Sequence, residues 1–510
     1  MRVRLRAGTT LALLAAARLG VAAPPALCQE SVLGTVSFPN GGSPGAQEPF
    51  LRGLALLHSF EYGDARASFR DARAIDPDFV MATWGEAMTW NHSLWFEQEA
   101  DSARAALGRL APSAAARAAK APSDRERAWL GAVETLYGPG DKEARDDAYE
   151  QAMAALHAAW PDDPEAAAFH ALAILGSAHE GRDHARYMRA ASIVEEVFRD
   201  HPDHPGAAHY LIHSYDDPVH APLGLRAARA YGTIAPGAAH AQHMTSHIFL
   251  ALGLWDDVVR ANEVADSVVD LRRAGRNLGP SSCGHYNEWL LYGYLQQDRP
   301  DAALALLAEC HVQARERGGA TAFSFSMMRS MYLVDTEAFE GPAGTMTADF
   351  GGMPMAELTG AWLLGLAAAR RGDARGLREA RDEVRTLRPE AEAALRARGI
   401  TEEAYVRRAG LLEAQLEGLA RLVEGRTDEG LARLGAVAAE ESALPAAFGP
   451  PVIDKPSNEL LGEALLAAGR PEPAARAFEV ALRLAPGRLR SLRGLAQARA
   501  SGPTAVSAGP

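Results

Sequence analysis

This sequence of 510 residues predicts an all-α protein built from stacked helical hairpins. Three observations lead there. Alanine is abundant, in short runs such as Ala114–Ala116, while aromatic residues make up only 7% and β-branched runs are scarce. Alanine loses no side-chain entropy in a helix and allows helices to approach closely. A five-position spacing pattern near one end recurs near the other. Helix-pair signals such as "LGLWDDVVRANEVA" and "YGYLQQDRPDAALALLAE" occupy the interval. With 48% hydrophobic residues, the chain holds enough apolar side chains for several domains or one long repeat array.

Taken in order, the first element is a targeting segment. "MRVRLRAGTT" is cationic, "LALLAAARLGVAA" is apolar, and "ALC" places small residues before a cut after Cys28. Residues 1–28 therefore read as a signal peptide, and the protein as exported, either periplasmic or secreted. The apolar stretch is too short to span a bilayer, and nothing later is apolar for long enough. "PALC" also resembles a lipoprotein box with Cys28 as the lipidated residue, but Pro25 stands where leucine is usual, which argues against a lipid anchor. Residues 29–45 read as a linker, 46–500 as the helical array and 501–510 as a disordered tail. The formal charge is -13, and loss of Arg2, Arg4, Arg6 and Arg18 with the signal takes it to -13 - 4 = -17. No basic stripe is present, which excludes a nucleic-acid partner. Arginines lie among acids at helical spacing and read as solvated faces.

In "GLALLHSFEYGDARASFRDARAIDP" the marked positions are Gly53, Ala65, Phe69, Ala72 and Pro77. In "GEALLAAGRPEPAARAFEVALRLAP" they are Gly462, Ala474, Phe478, Ala481 and Pro486, at the same spacing. Small residues let two helices meet, the aromatic fills the gap between hairpins, and proline stops the second helix. This spacing resembles the tetratricopeptide repeat. The resemblance covers most of residues 46–500. It implies a helical-hairpin solenoid wound as a right-handed superhelix, and it implies a protein or peptide partner, because such repeats usually mediate protein contacts. Two stretches fit poorly: 96–125, rich in alanine and arginine, and 316–352, which reads as an irregular Gly/Met-rich insertion.

The chain has 16 histidines, three of them in "HAQHMTSH", residues 240–247. His209 and His213 lie one helical turn apart, as do His243 and His247. The separations 243 - 209 and 247 - 213 are both 34, one repeat length. The resemblance puts these pairs at equivalent places on neighbouring first helices, facing the concave groove. Aligning "RPDAA" with "RPEPAA" sets His285 at the place of His240 and Glu288 at the place of His243, with an 11-residue insertion between the repeats, since 285 - 240 - 34 = 11. His58 and His92 are also 34 apart and fall on groove positions one turn beyond the later set. His170 is out of phase and reads as an ordinary, partly buried residue.

Histidines in this pattern point to metal binding, because neutral imidazole is the commonest ligand for Zn, Cu, Fe and Ni. His209, His213, His243, His247, His240, His285 and Glu288 are the candidate ligands. His58, His92 and Asp217 are further groove residues, with Asp217 or Glu288 able to complete a site or orient a ring. One ion or two would suit this count. "HYLIH" and "HMTSH" lack the glutamate of the zincin motif, and no phosphate loop or nucleophile elbow occurs. Imidazoles in a repeat groove also bind peptide carboxylates, or link helices by hydrogen bonds. Two functions of different class follow. One is a binding protein whose groove holds a partner and a divalent transition metal. The other is a metal-dependent enzyme, hydrolytic or oxidative, that uses the same histidines. By the hairpin geometry the resemblance implies, Cys283 and Cys310 come close enough to bond in an oxidising compartment. The blocks "AHYLIHSYDDP" and "HAQHMTSHIF" resemble a group of exported, histidine-rich bacterial tetratricopeptide-repeat proteins. That resemblance supports fold and site location and implies no particular chemistry.

Overall fold

The computed structural model describes residues 32–501 apart from 180 and 401. The expected signal peptide, Cys28 and the expected tail beyond residue 501 lie outside the described residues. Among those described there are 24 α-helices, and the one strand pairing joins Asn91–His92 to Glu97–Gln98.

Neighbouring helices pack as pairs: Pro44–His58 on Tyr62–Ile75, Pro205–Tyr215 on Ala221–Ile234, Ala239–Ala251 on Trp255–Gly275, His285–Gln296 on Pro300–Arg317. First helices also stack on one another, Pro205–Tyr215 between Pro164–Gly176 and Ala239–Ala251. This is the layout of a tetratricopeptide-like solenoid. Its repeat positions do what their spacing predicts. A Cβ on Gly53 would sit 2.9 Å from the Phe69 ring, and one on Gly462 2.8 Å from Phe478, so each glycine makes room for a fully buried aromatic. The two "PDxP" motifs both start helices. Pro164 and Pro205 take the first turn, where a missing N–H does no harm. Asp163 caps the first with its carboxylate. His204 caps the second with Nδ1, which accepts from the Ala207 N–H at 3.1 Å.

Two segments differ from expectation. Residues 319–336 are not an insertion but an 18-residue helix, Gly319–Thr336. Ala322, Phe325 and Met328 recur every three residues and are fully buried, a helical period that the flanking glycines obscure. Irregular chain is confined to residues 337–353, with one short helix at Pro342–Thr345. The other is the expected linker, whose residues 32–43 are a docked strap. Phe38 is buried against Phe50, Trp84 and Trp129, and the Thr35 N–H donates to Asp203 O at 2.9 Å. In the alanine- and arginine-rich stretch, Ala100–Leu110 and Ala114–Ala118 form two further helices.

The array closes on itself at both ends. Pro44–His58 packs on Pro205–Tyr215, and a Cβ on Gly206 would fall 2.2 Å from His58 Nδ1, so only glycine permits that approach. At the other end, Trp255 Nε1 donates to Gly487 O at 2.9 Å, and Arg488 reaches Tyr292 and Asp335. Both closures land on the helix pairs between residues 205 and 296. The inner face there is enclosed rather than an open groove.

Candidate metal centre

Three consecutive first helices supply the site. His209 and His213 project from Pro205–Tyr215, and His243 and His247 from Ala239–Ala251, each pair one turn apart. His240, in the first turn of Ala239–Ala251, reaches back to the earlier pair. His285, the first residue of His285–Gln296, reaches back to the later one. The result is two trios, His209–His213–His240 and His243–His247–His285, within each of which one ring nitrogen per residue lies within 4.8 Å of the others. The trios adjoin: ring centroids are 6.0 Å apart for His213 and His247, and 6.1 Å for His240 and His243.

The far side of each ring decides its chemistry. His209 Nδ1 donates to His58 O at 2.6 Å, a carbonyl left without an intrahelical partner where Pro44–His58 ends. His243 Nδ1 donates to Asn262 Oδ1 at 2.7 Å, and the Asn262 amide is held the right way round by its own donation to Val258 O. His247 Nδ1 donates to Asp216 Oδ2 at 2.6 Å. Carbonyl and carboxylate oxygens only accept, so in the neutral ring the proton is on Nδ1 and Nε2 is a bare lone pair. His243 Nε2 and His247 Nε2 face each other at 3.2 Å. With no proton between them this is not a hydrogen bond. Two nitrogens bound to one ion at ~2.0–2.1 Å with a tetrahedral angle stand about 3.3 Å apart. In the other trio His213 Nε2 and His209 Nε2 are 3.1 Å apart, and His240 Nε2 is buried without a partner.

Electrostatics keep five of these rings neutral. Burial pushes His209 down to about 3 and His285 to about 4, and lowers His213, His240 and His243 well below the ordinary imidazole value, with neighbouring rings adding to the effect. Neutral imidazole is the form that binds metal. Aromatic rings wall the site: Trp289 lies 4.3 Å from His247 and 4.8 Å from His243, and Phe60 lies 4.3 Å from His209. Phe60 holds φ at 54°, a left-handed conformation that costs a non-glycine residue ~1 kcal/mol or more. It brings the ring onto three histidines of the site, His209, His213 and His240. A cavity of about 30 Å³ touches both trios at His213, His240, His247 and His285. An outer vestibule of about 510 Å³, lined by Phe60, Tyr62, Trp95 and Tyr286, shares His240 and His285 with it.

The six histidines named from the sequence as candidate ligands thus come together. Glu288 does not join them. It bonds Ser324 on the next first helix, and burial raises it to about 6. Asp217 faces Arg182 and His220, and its neighbour Asp216 is the residue that holds His247. His92 stacks on Tyr62, 4.0 Å away, in the vestibule wall. His58 lends the site its carbonyl, while its ring belongs to a separate buried group with Glu165 and His204. His170 lies apart, its Nδ1 3.1 Å from that of His157, and burial followed by His157 lowers it to about 4. Sequence reasoning missed Asp216, Asn262, Glu165 and His204. The acid pair in "HSYDDP" marks Asp216 without separating it from Asp217. Asn262, on the second helix of its pair, carries no local signal.

No protein-family model matches the chain, and no curated protein matches it. Solved structures of low identity do. The Cut9–Hcn1 hetero-tetramer of the APC/C is 12% identical over 91% of this chain and 78% of that one, with a TM-score of 0.35. The human IFIT1 dimer with m7Gppp-AAAA is 13% identical over 92% of each chain, also at 0.35. Yeast Tom70 is 11% identical over 88% and 87%, at 0.26. The fold assignment rests on the chain's own helix pairing.

Proposed function

We propose that this is an exported helical-repeat protein whose enclosed inner face holds two transition-metal ions, each on three histidines. The observation that carries the reading is the bare Nε2 pair of His243 and His247, 3.2 Å apart with both Nδ1 protons engaged elsewhere. An all-imidazole donor set suits Zn, Cu or Fe, and the absence of a carboxylate from either trio disfavours Mg, Ca or Mn. Three protein ligands leave a coordination position open, as in catalytic rather than structural sites. This favours the metal-dependent enzyme, hydrolytic or oxidative, over a purely structural centre. The repeat architecture also supports a protein or peptide partner. An apolar cavity of about 130 Å³, lined by Leu250, Trp255, Tyr292 and Phe448, meets the site at Asp216 and offers a place for a ligand beside the ions. Export is supported by the N-terminal signal pattern and by the Cys283–Cys310 disulfide, which an oxidising compartment permits.

Metal analysis of protein purified without an affinity tag tests this. Two ions per chain are expected, none after His209→Ala combined with His247→Ala, and two still after His170→Ala. A full complement in the double variant would overturn the reading.

A further inference from the structure

We propose that the two ions are copper and that the reduced pair takes up dioxygen in the cavity between the trios. The proposal deepens the two-metal reading and rests on it.

The first argument is charge. Imidazole binds metal as a neutral ligand and contributes none, the one carboxylate bonded to the six rings is Asp216, behind His247, and the buried Arg182 beside the space is balanced by Asp217. Two divalent ions would bring +4 into a buried space with that single counter-charge, and uncompensated buried charge is expensive. Two Cu(I) ions bring only +2. Dioxygen uptake then leaves the total unchanged. Each Cu(I) gives one electron and becomes Cu(II), O₂ gains both and becomes bound peroxide (O₂²⁻), and the sum is again +2. The O–O double bond becomes single, copper–oxygen bonds form, and no proton is taken up or released.

The second argument is space. The cavity of about 30 Å³ is bounded by His213 and His240 from one trio and His247 and His285 from the other. A water molecule needs ~10–15 Å³ by the same measure, so there is room for a two-atom ligand and little more. Such a ligand would lie against two rings of each trio. His240 Nε2, buried and unpartnered, belongs to a ring that lines this space. The remaining wall carries Leu94, Trp95, Tyr187, Met244 and Phe448 together with two charged residues already engaged, Arg182 with Asp217 and Asp216 with His247, so its free surface is mostly apolar or aromatic and suits a neutral diatomic. His240, His285 and Trp95 also line the vestibule, which gives the gas a path in.

The test uses the full chain with its disulfide intact, loaded with Cu(I) under argon and then exposed to oxygen. Two coppers per chain should bind, and one O₂ should be consumed per two coppers in an oxygen electrode. The oxygenated protein should give no electron paramagnetic resonance signal, because two bridged Cu(II) spins couple. Acid release of the copper should then restore two spins per chain. His240→Gln and His285→Gln, one from each trio, should each abolish O₂ uptake while helicity by circular dichroism stays at the wild-type level. His170→Ala should leave uptake unchanged. Two uncoupled Cu(II) spins per folded chain would overturn the proposal, as would two bound coppers that consume no O₂. If the protein binds two zinc ions but no Cu(I), this inference fails and the two-metal reading stands. If it binds no metal of any kind, both fail.

Discussion

Two buried histidine clusters meet at His58 and differ in where their protons lie. In the His58–Glu165–His204 group, His204 Nδ1 accepts a backbone N–H, so the proton is on Nε2, 3.3 Å from Glu165 Oε1. His58 Nε2 lies 2.7 Å from Glu165 Oε2, and its Nδ1 is 2.9 Å from the Tyr210 hydroxyl. Both rings thus turn a nitrogen to the Glu165 carboxylate, and the His204 nitrogen that does so carries a proton. In the trios, His58 O, Asn262 and Asp216 draw the protons to Nδ1 and leave Nε2 bare. By residue type either cluster could hold a metal. On the proposed reading, the partner on the far side of each ring is what separates them.

The largest expected effect separates the clusters outright. His247→Ala removes one of three ligands, and metal content should fall from two per chain to at most one, an affinity loss well beyond the ~100-fold of an outer partner. Glu165→Gln should leave both ions in place but cost stability. Burial alone would raise the Glu165 carboxyl, yet His204 and His58 outweigh it and hold the group ionised far below the usual range. Breaking such a buried pair typically costs ~3–5 kcal/mol, readable by urea unfolding. The sign of its pH dependence is fixed. A carboxyl whose folded pKa is depressed contributes stability above its unfolded value, near 4.5, and loses it as pH falls further. The gap between wild type and Glu165→Gln should therefore be constant above about pH 5 and shrink in acid. An equal gap at pH 3 and pH 7 would count against an ionised Glu165.

Reducing the disulfide comes next. Cys283 lies two residues before His285, and its bond to Cys310 spans 27 residues, for which chain entropy suggests about 3.5 kcal/mol. Stability and metal affinity of the second trio should both drop, while Glu165→Gln should still show its full penalty. Asp216→Asn should be milder, weakening metal ~10–100-fold through loss of ring orientation with little change in melting temperature. Equal metal affinity in this variant would mean that Asp216 does not hold the His247 tautomer.

The repeat and the paired histidines were legible because both are periodic. Gly53 with Phe69, Gly462 with Phe478, and the 34-residue step from His209 to His243 follow from spacing alone, and the structure places them as that spacing implies. Proton positions are not periodic. They depend on Asn262 from a second helix, on a carbonyl freed where the Pro44–His58 helix stops, and on which of two adjacent aspartates turns inward. Glu288 shows the limit from the other side. Its repeat register matches His243, but it bonds Ser324 on the following first helix, and it is His285, one turn earlier, that joins His243 and His247. The helix at Gly319–Thr336 was hidden by glycines at its edge, and the strap at 32–43 by the absence of any helical pattern.

In an open repeat array each unit touches only its neighbours, so units can be trimmed from either end and the remainder stays folded. The closures at Gly206 and at Trp255 change that rule. Residue 58 supplies an acceptor to residue 209, and residue 487 receives a bond from residue 255, so the two ends of the helical array act as latches on its middle. Removing either latch should loosen the central helices though no residue of theirs is touched. Unfolding should accordingly occur in one cooperative step rather than repeat by repeat.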